Sequence, residues 1–201
     1  ACYGCARSAS FWVGHDVGMR VIDLVIVIVW VVFWAYWLIA ARGVKSGRSG
    51  GWNRFIGLRI ALLVVVIFGV RSWGLRGHKA GTDPVLAGVG LALFLLGLGL
   101  AVWARLYIGR NWGTPMSRKT EPELVTTGPY HRIRHPIYTG LILAMLGTAL
   151  ATTLYGLIVA AVLGGFFIYS AIREEAYLTE QFQDTYRAYK HSTKMLIPFV
   201  L

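Results

Sequence analysis

Charge is what this chain of 201 residues has least of. Asp, Glu, Lys and Arg together make 14% of it, where a soluble domain carries roughly a quarter. Acidic side chains are scarcest, nine against 20 Lys and Arg, so the net charge is +11. Cysteine is nearly absent. Cys2 and Cys5 are the whole supply, and a lone Cys-x-x-Cys with no second pair or downstream His-x-His partner is weak evidence for zinc or redox chemistry. No metal site is expected. There is no internal repeat, and residues 1–20 lack a long apolar run, so they do not read as a signal peptide.

Apolar residues fill the space that charge leaves. They make 56% of the chain, with a mean hydropathy of +0.59. Several apolar runs approach or exceed the roughly 20 residues that cross a bilayer. The composition therefore predicts an all-α integral membrane protein forming one membrane domain over residues 1–201, with a scaffold over 1–107 and a functional core over 108–201. A soluble chain this basic would suggest a nucleic-acid partner. Here the basic residues lie mostly between apolar runs, where orientation in the membrane and anionic headgroups explain them, and no nucleic-acid partner is expected.

About five spans are predicted, over Val21–Ala41, Phe55–Trp73, Val85–Tyr107, Ile137–Leu154 and Leu157–Ile172. Asp23 reads as a solvated helix end. Arg59, one turn inside the second span, either snorkels to the interface or faces the bundle. The third span carries Gly88, Gly90, Gly97 and Gly99, which allow close helix contact but form no strict small-xxx-small series on one face. The last two spans read as an antiparallel hairpin with Tyr155-Gly156 in its turn. From Arg173 to Lys194 the spacing of Tyr177, Leu178, Phe182, Tyr186 and Tyr189 is that of an amphipathic helix. It either lies on the bilayer or forms a lid over the preceding polar loop.

With five spans, fourteen of the 20 Lys and Arg residues fall on the side that holds the loop Ile108–Pro136 and the tail. Five fall on the other side, and Arg59 lies within a span. The bias places that loop and the C-terminal tail in the cytoplasm and the N-terminus outside.

Chemistry concentrates in that loop, which is long for a small membrane domain and so a candidate for function. Its core is Gly128-Pro129-Tyr130-His131-Arg132-Ile133-Arg134-His135-Pro136-Ile137-Tyr138-Thr139-Gly140. Pro136 suits the first turn of a helix, which puts Arg134 and His135 at the entry to the fourth span, where anions are favoured. Arg132 and Arg134 add fixed positive charge suited to a carboxylate or phosphate. Tyr130 and Tyr138 offer flat faces and hydroxyls. An aromatic and basic belt at headgroup level would look similar. Glu174-Glu175, on the same side just past an apolar span, shifts the reading towards a site, because an interface with anionic lipids disfavours acidic residues. Two carboxylates would accept from ribose hydroxyls or ammonium groups and favour a cationic centre.

Gly128-x-Tyr130-x-x-x-Arg134-His135-Pro136-x-Tyr138, followed by an apolar hairpin and Glu174-Glu175, resembles the isoprenylcysteine carboxyl methyltransferase family, which in turn is similar to the phospholipid methyltransferases. Asn111-Trp112, Leu124-Val125, Phe182, Tyr186 and Pro198 fit the same pattern, so the resemblance covers about Arg105 to Pro198. It implies S-adenosylmethionine as cofactor, in a cytosol-facing pocket built from the loop before the hairpin and the segment after it. It assigns Tyr130, His135 and Tyr138 to that pocket, with backbone contacts from Leu124 and Val125 and a polar contact from Glu174 or Glu175. It further implies a lipophilic methyl acceptor, such as an isoprenylcysteine carboxylate, entering from the bilayer. A carboxylate acceptor needs no general base, only an orienting cation, for which Arg173 and Arg134 are the candidates. The chain departs from the family pattern at Ser170, where an Arg is found in some members, at Ile172 for a Pro, and at Gln183 for a Gly. Two rival expectations are an NADPH-dependent membrane reductase of related architecture and a non-catalytic protein whose basic loops bind anionic lipid.

Overall fold

The computed structural model describes residues 3–41, 47–48, 83–112, 118–119, 123–153 and 156–197. Their architecture is four helices: α1 (Tyr3–Ala41), α2 (Pro84–Ile108), α3 (Pro136–Thr152) and α4 (Gly156–Ser192). Stretches of α1, α2 and α4 are long and apolar enough to cross a membrane, and α3 is a shorter apolar helix. Large apolar side chains point outward from all three, with Leu38 69%, Leu96 69% and Val162 68% exposed. Surfaces of that kind belong in lipid, and the chain is an integral membrane protein. The expected span over Phe55–Trp73, with Arg59, lies outside the described residues.

α1 turns one stripe inward. Ile26, Phe33 and Trp37 are buried, at spacings of seven and four that return to one helix face. Trp30, on the same stripe, packs its ring 5.6 Å from that of Phe94 and donates from Nε1 to Thr148 Oγ1 at 3.1 Å. Nearer its C-terminal end, Trp37 meets Trp112 edge to face at 5.6 Å. Trp30 of α1 therefore lies beside the middle of α2, and the last turns of α1 beside the end of α2. α1 and α2 run parallel.

α2 starts where the sequence marks a start: Asp83 caps it, its carboxylate accepting from Val85 N at 2.8 Å, and Pro84 fills the first helical position. It then packs against α3 with almost no side chain between the backbones. A Cβ added at Gly97 would lie 2.5 Å from Ala144 N, and one at Gly90 2.5 Å from Ala151 N. From the other side, a Cβ on Gly140 would lie 2.5 Å from Gly97 O. The contact surface is Gly90, Phe94, Gly97 and Ala101 on one helix and Gly140, Ala144, Gly147 and Ala151 on the other. This revises the reading of the glycines. Gly88 and Gly99 face open space, while Gly90 and Gly97, seven apart, share a face with partners at Gly140 and Gly147, also seven apart. Two turns of helix, rather than one, is the repeat, as expected of helices that stay in register over a long contact.

α4 has 37 residues, about 55 Å if straight, much longer than a bilayer core is thick. The change in composition at Arg173 is a change of surroundings, not of secondary structure, since the helix continues through it. The break comes at Gln183, whose φ of 45° and ψ of −118° are non-helical. Beyond it the chain doubles back. Glu175 and Lys190 would stand about 22 Å apart on a continuous helix, yet their charged groups are 2.8 Å apart. The returning limb therefore covers the loop before α3, the lid alternative of the two weighed for this segment. Residues 193–197 then run alongside that loop: Arg134 N donates to Lys194 O at 2.8 Å, His135 N to Met195 O at 3.1 Å, and Lys194 N to Arg132 O at 3.2 Å. A two-residue antiparallel ladder, Gly47–Arg48 with Arg118–Lys119, ties the loop after α1 to the loop after α2, so both lie on one face.

Candidate functional site

The loop Glu123–His135 is held from both sides. Gly128 has φ 60°, and a side chain there would run into the ring of Tyr107, so only glycine passes this point without strain. The turn Gly128–His131 that follows buries Tyr130. Its hydroxyl donates to Ala104 O at 3.4 Å, and its carbonyl accepts from Tyr189 OH at 2.5 Å. Burial, and after it the Glu174 carboxylate, push the Tyr130 phenol above its ordinary pKa, so it stays a neutral donor.

The two expected halves of the site meet. Tyr138 OH donates to Glu174 Oε2 at 3.0 Å, and Arg134 Nε donates to Glu175 Oε1 at 2.6 Å. The neighbouring glutamates have different surroundings. Glu175 is 5% exposed and sits among Arg134, Lys190 at 2.8 Å and His135 Nε2 at 3.6 Å. Glu174, one helix position earlier and so rotated by about 100°, lines a cavity of about 120 Å³ that is partly open to solvent.

The wall of that cavity includes Leu124, Val125, Tyr130, Arg134, His135, Tyr138 and Glu174, all expected from the sequence. It does not include Glu175 or Arg173. Arg173 is exposed. Arg134 borders the cavity, but its guanidinium is tied to Glu175, to Thr193 O and to Lys190 O. Arg132 is exposed and off the wall. The basic character expected of the motif is thus spent on the latch and the surface. What faces the cavity is acidic and aromatic: Glu123 and Glu174 with Trp112, Tyr130, Tyr138, Tyr177, Tyr186 and Tyr189. His135 stacks on Tyr138 with the rings 5.4 Å apart and 3° from parallel, and Tyr138 stacks in turn on Phe167 at 5.2 Å.

Several wall residues came from outside the expected set. Tyr177, Leu178, Tyr186 and Tyr189 are the apolar stripe of the tail, which the sequence marked as a packing face but not as a pocket lining. Asn111 and Trp112 cap the end of α2. Behind them Arg105, read from sequence as one more basic residue of the loop side, is 5% exposed. It donates to Ala40 O and Gly109 O, both at 2.7 Å, and lies over the Trp112 ring at 4.8 Å. It closes the C-terminal ends of two parallel helices at once, where the carbonyls have no helical partners. Its spacing from the end of α2 could have suggested such a cap.

Two polar atoms on this wall are buried with no hydrogen-bond partner among the described residues, Asn111 Oδ1 and Tyr186 OH, while His135 Nε2 has only Glu175 Oε1 at 3.6 Å. Buried polar atoms of this kind are costly unless something else satisfies them.

Residues 86–185 match the family model described as phospholipid methyltransferase. The chain is 32% identical over 114 residues to the protein-S-isoprenylcysteine O-methyltransferase of Schizosaccharomyces pombe, covering 55% of this chain and 48% of that protein. The chain belongs to this methyltransferase family. A second member, the protein-S-isoprenylcysteine O-methyltransferase B of Arabidopsis thaliana, is 30% identical over 119 residues, which is 57% of this chain and 60% of that protein. The nickel-cobalt-cadmium resistance protein NccN of Alcaligenes xylosoxydans xylosoxydans is 29% identical over 145 residues, covering 70% and 64%. The chain thus spans about half to two thirds of the length of these relatives. The family match takes in α2 from residue 86, α3 and the first limb of α4, while Tyr186 and Tyr189 of the cavity wall lie just beyond it.

Proposed function

We propose that the chain is an integral membrane methyltransferase that uses S-adenosylmethionine and methylates a lipophilic acceptor. The observation that carries this reading is the acidic and aromatic cavity where α4 leaves its apolar stretch, with the Glu174 carboxylate held in its wall by Tyr138. A sulfonium cofactor suits the donor set: a fixed carboxylate, flat rings that favour a cation on their faces, and unpartnered buried polar atoms. When bound, the cofactor supplies an electrophilic methyl group that a nucleophile displaces in line.

The chain's own residues would do the rest by positioning and by excluding water. Tyr138, stacked between His135 and Phe167, cannot swing, and so it fixes the Glu174 carboxylate as a counter-ion. Glu175 keeps the returning limb of α4 over the site through Lys190 and Arg134. Leu124 and Val125 wall the side facing α2. For a carboxylate acceptor, Arg173 is the better candidate as orienting cation, since it is exposed at the level where α4 meets the apolar phase, while Arg134 is committed to the latch. The acceptor would be a lipid-borne group such as an isoprenylcysteine carboxylate. The positive-inside bias supports a cytoplasmic cavity. An NADPH reading is disfavoured, because Arg134 is the one Lys or Arg on the wall among the described residues and it is already bonded.

The test is calorimetry on the detergent-solubilised protein with S-adenosylhomocysteine. Wild type is expected to bind, and Glu174→Ala or His135→Ala to lose at least tenfold in affinity. A folded wild type that gives no binding would refute the reading.

A further inference from the structure

Two elements contribute polar groups to the cavity wall, the end of α2 and the returning limb of α4. We propose that Asn111, oriented by Glu123, is a binding residue for the ribose hydroxyls of the cofactor. The inference rests on the cofactor reading above and sharpens it.

Asn111 Nδ2 donates to Glu123 Oε2 at 2.7 Å. That bond fixes the amide: turned over, it would set a carbonyl oxygen against a carboxylate. Asn111 Oδ1 therefore points away from Glu123, and it is buried with no partner among the described residues. Both residues line the cavity. Together they present two neighbouring acceptor groups, one neutral and one charged. The complement is a pair of neighbouring donors. Vicinal hydroxyls fit, and a carboxylate accepting from a ribose hydroxyl is a common means of nucleoside recognition.

The amino-acid end of the cofactor would fit poorly there. Its ammonium could use these acceptors, but its carboxylate would need donors close by, and the other wall residues of this region are Ile108, Trp112, Leu124 and Val125. The unpartnered hydroxyl of Tyr186 and the imidazole of His135 are found instead where the returning limb of α4 meets the wall. Apolar and aromatic walls beside Asn111 suit a base. The direction of the ligand in the cavity follows: nucleoside towards the end of α2, amino acid towards the returning limb.

The experiment compares S-adenosylhomocysteine with its 2′-deoxy, 3′-deoxy and 6-oxo (inosyl) analogues by calorimetry on the full chain. Asn111→Ala is expected to weaken S-adenosylhomocysteine about five- to tenfold, the range of one lost hydrogen bond. Wild type should lose a similar factor on at least one deoxy analogue, and Asn111→Ala should then bind that analogue as well as wild type does. Glu123→Gln, which keeps size and loses charge, is expected to show the same coupling should Asn111→Ala fail to fold. Equal affinity of wild type and variants for S-adenosylhomocysteine would overturn the assignment. So would an Asn111 effect that persists undiminished on both deoxy analogues, or one that disappears only on the 6-oxo analogue, which would place the base amine there. A wild type that binds none of these compounds fails differently, since it removes the cofactor reading itself.

Discussion

At the scale of single residues, the adjacent pair Glu174-Glu175 shows how one helix step divides labour. Glu174 borders the cavity, and Glu175 is buried between Arg134 and Lys190. Removing one partner from a buried ion pair leaves the others uncompensated and costs about 3–5 kcal/mol. Glu175→Ala is therefore expected to lower the melting temperature sharply, whereas Glu174→Ala should leave it near wild type and abolish binding. Thermal unfolding in detergent, run beside calorimetry, separates the two. Gln183 is the second telling residue. It stands where the family pattern has Gly, and its backbone is at φ 45°, which costs a non-glycine residue about 1–3 kcal/mol. Gln183→Gly should relieve that strain, offset by about 0.4–1 kcal/mol of extra chain entropy in the unfolded state. A net rise in stability of about 1 kcal/mol is expected, and a fall in melting temperature would count against the hinge geometry. The departure at position 183 was legible in the sequence. Its meaning was not, because a helical spacing runs through it on both sides and only the return of Lys190 to Glu175 exposes the turn.

Among the elements, the α2–α3 pair is the rigid part. Backbone meets backbone along its length, so added volume has nowhere to go. Gly97→Leu is expected to cost more than the usual 1–3 kcal/mol of an overpacked site, since the obstacle is main chain. Gly99→Ala, facing open space, should be neutral or stabilising by up to about 1 kcal/mol through helix propensity. Melting temperatures of the two variants check the contrast; equal losses would mean the face is assigned wrongly. Helix positions were readable because apolar runs with Asp83-Pro84 and His135-Pro136 at their heads mark their own starts. Which glycines touch was not, since choosing among four glycines on one helix requires knowing its partner. Arg134 belongs to the same class. A guanidinium beside a helix entry looks like an anion site until the carbonyls of a segment 59 residues on take its donors.

For the whole molecule, composition alone settled that the chain lives in a membrane and brought the motif loop and the tail to one face. The parallel course of α1 and α2 and the ladder between their following loops agree with that side assignment. Its orientation in the cell makes a further prediction. With Cys2 and Cys5 replaced by Ser, a cysteine at His191 should react with an impermeant thiol reagent only from the cytoplasmic side. One at Thr153, at the opposite end of α3, should react only from the other. The reverse pattern in sealed vesicles would invert the topology. The part of the cavity wall formed by Tyr186 and Tyr189 lay beyond reach of the sequence, because their place there depends on the reversal in α4.

That reversal, with the pairing of residues 132–135 to 194–196, has a consequence for how the protein is made. The loop that carries the motif leaves the ribosome about 60 residues ahead of the strand it pairs with. At about 5–20 residues per second, the loop waits some 3–12 seconds beside a membrane-inserted hairpin, its backbone donors unmatched. Towards the end of that interval the growing chain holds both carboxylates and the motif but no closed site. Assembly of the pocket is thus a late step of biosynthesis, and a soluble ligand meets a finished cavity only after the returning limb has folded down.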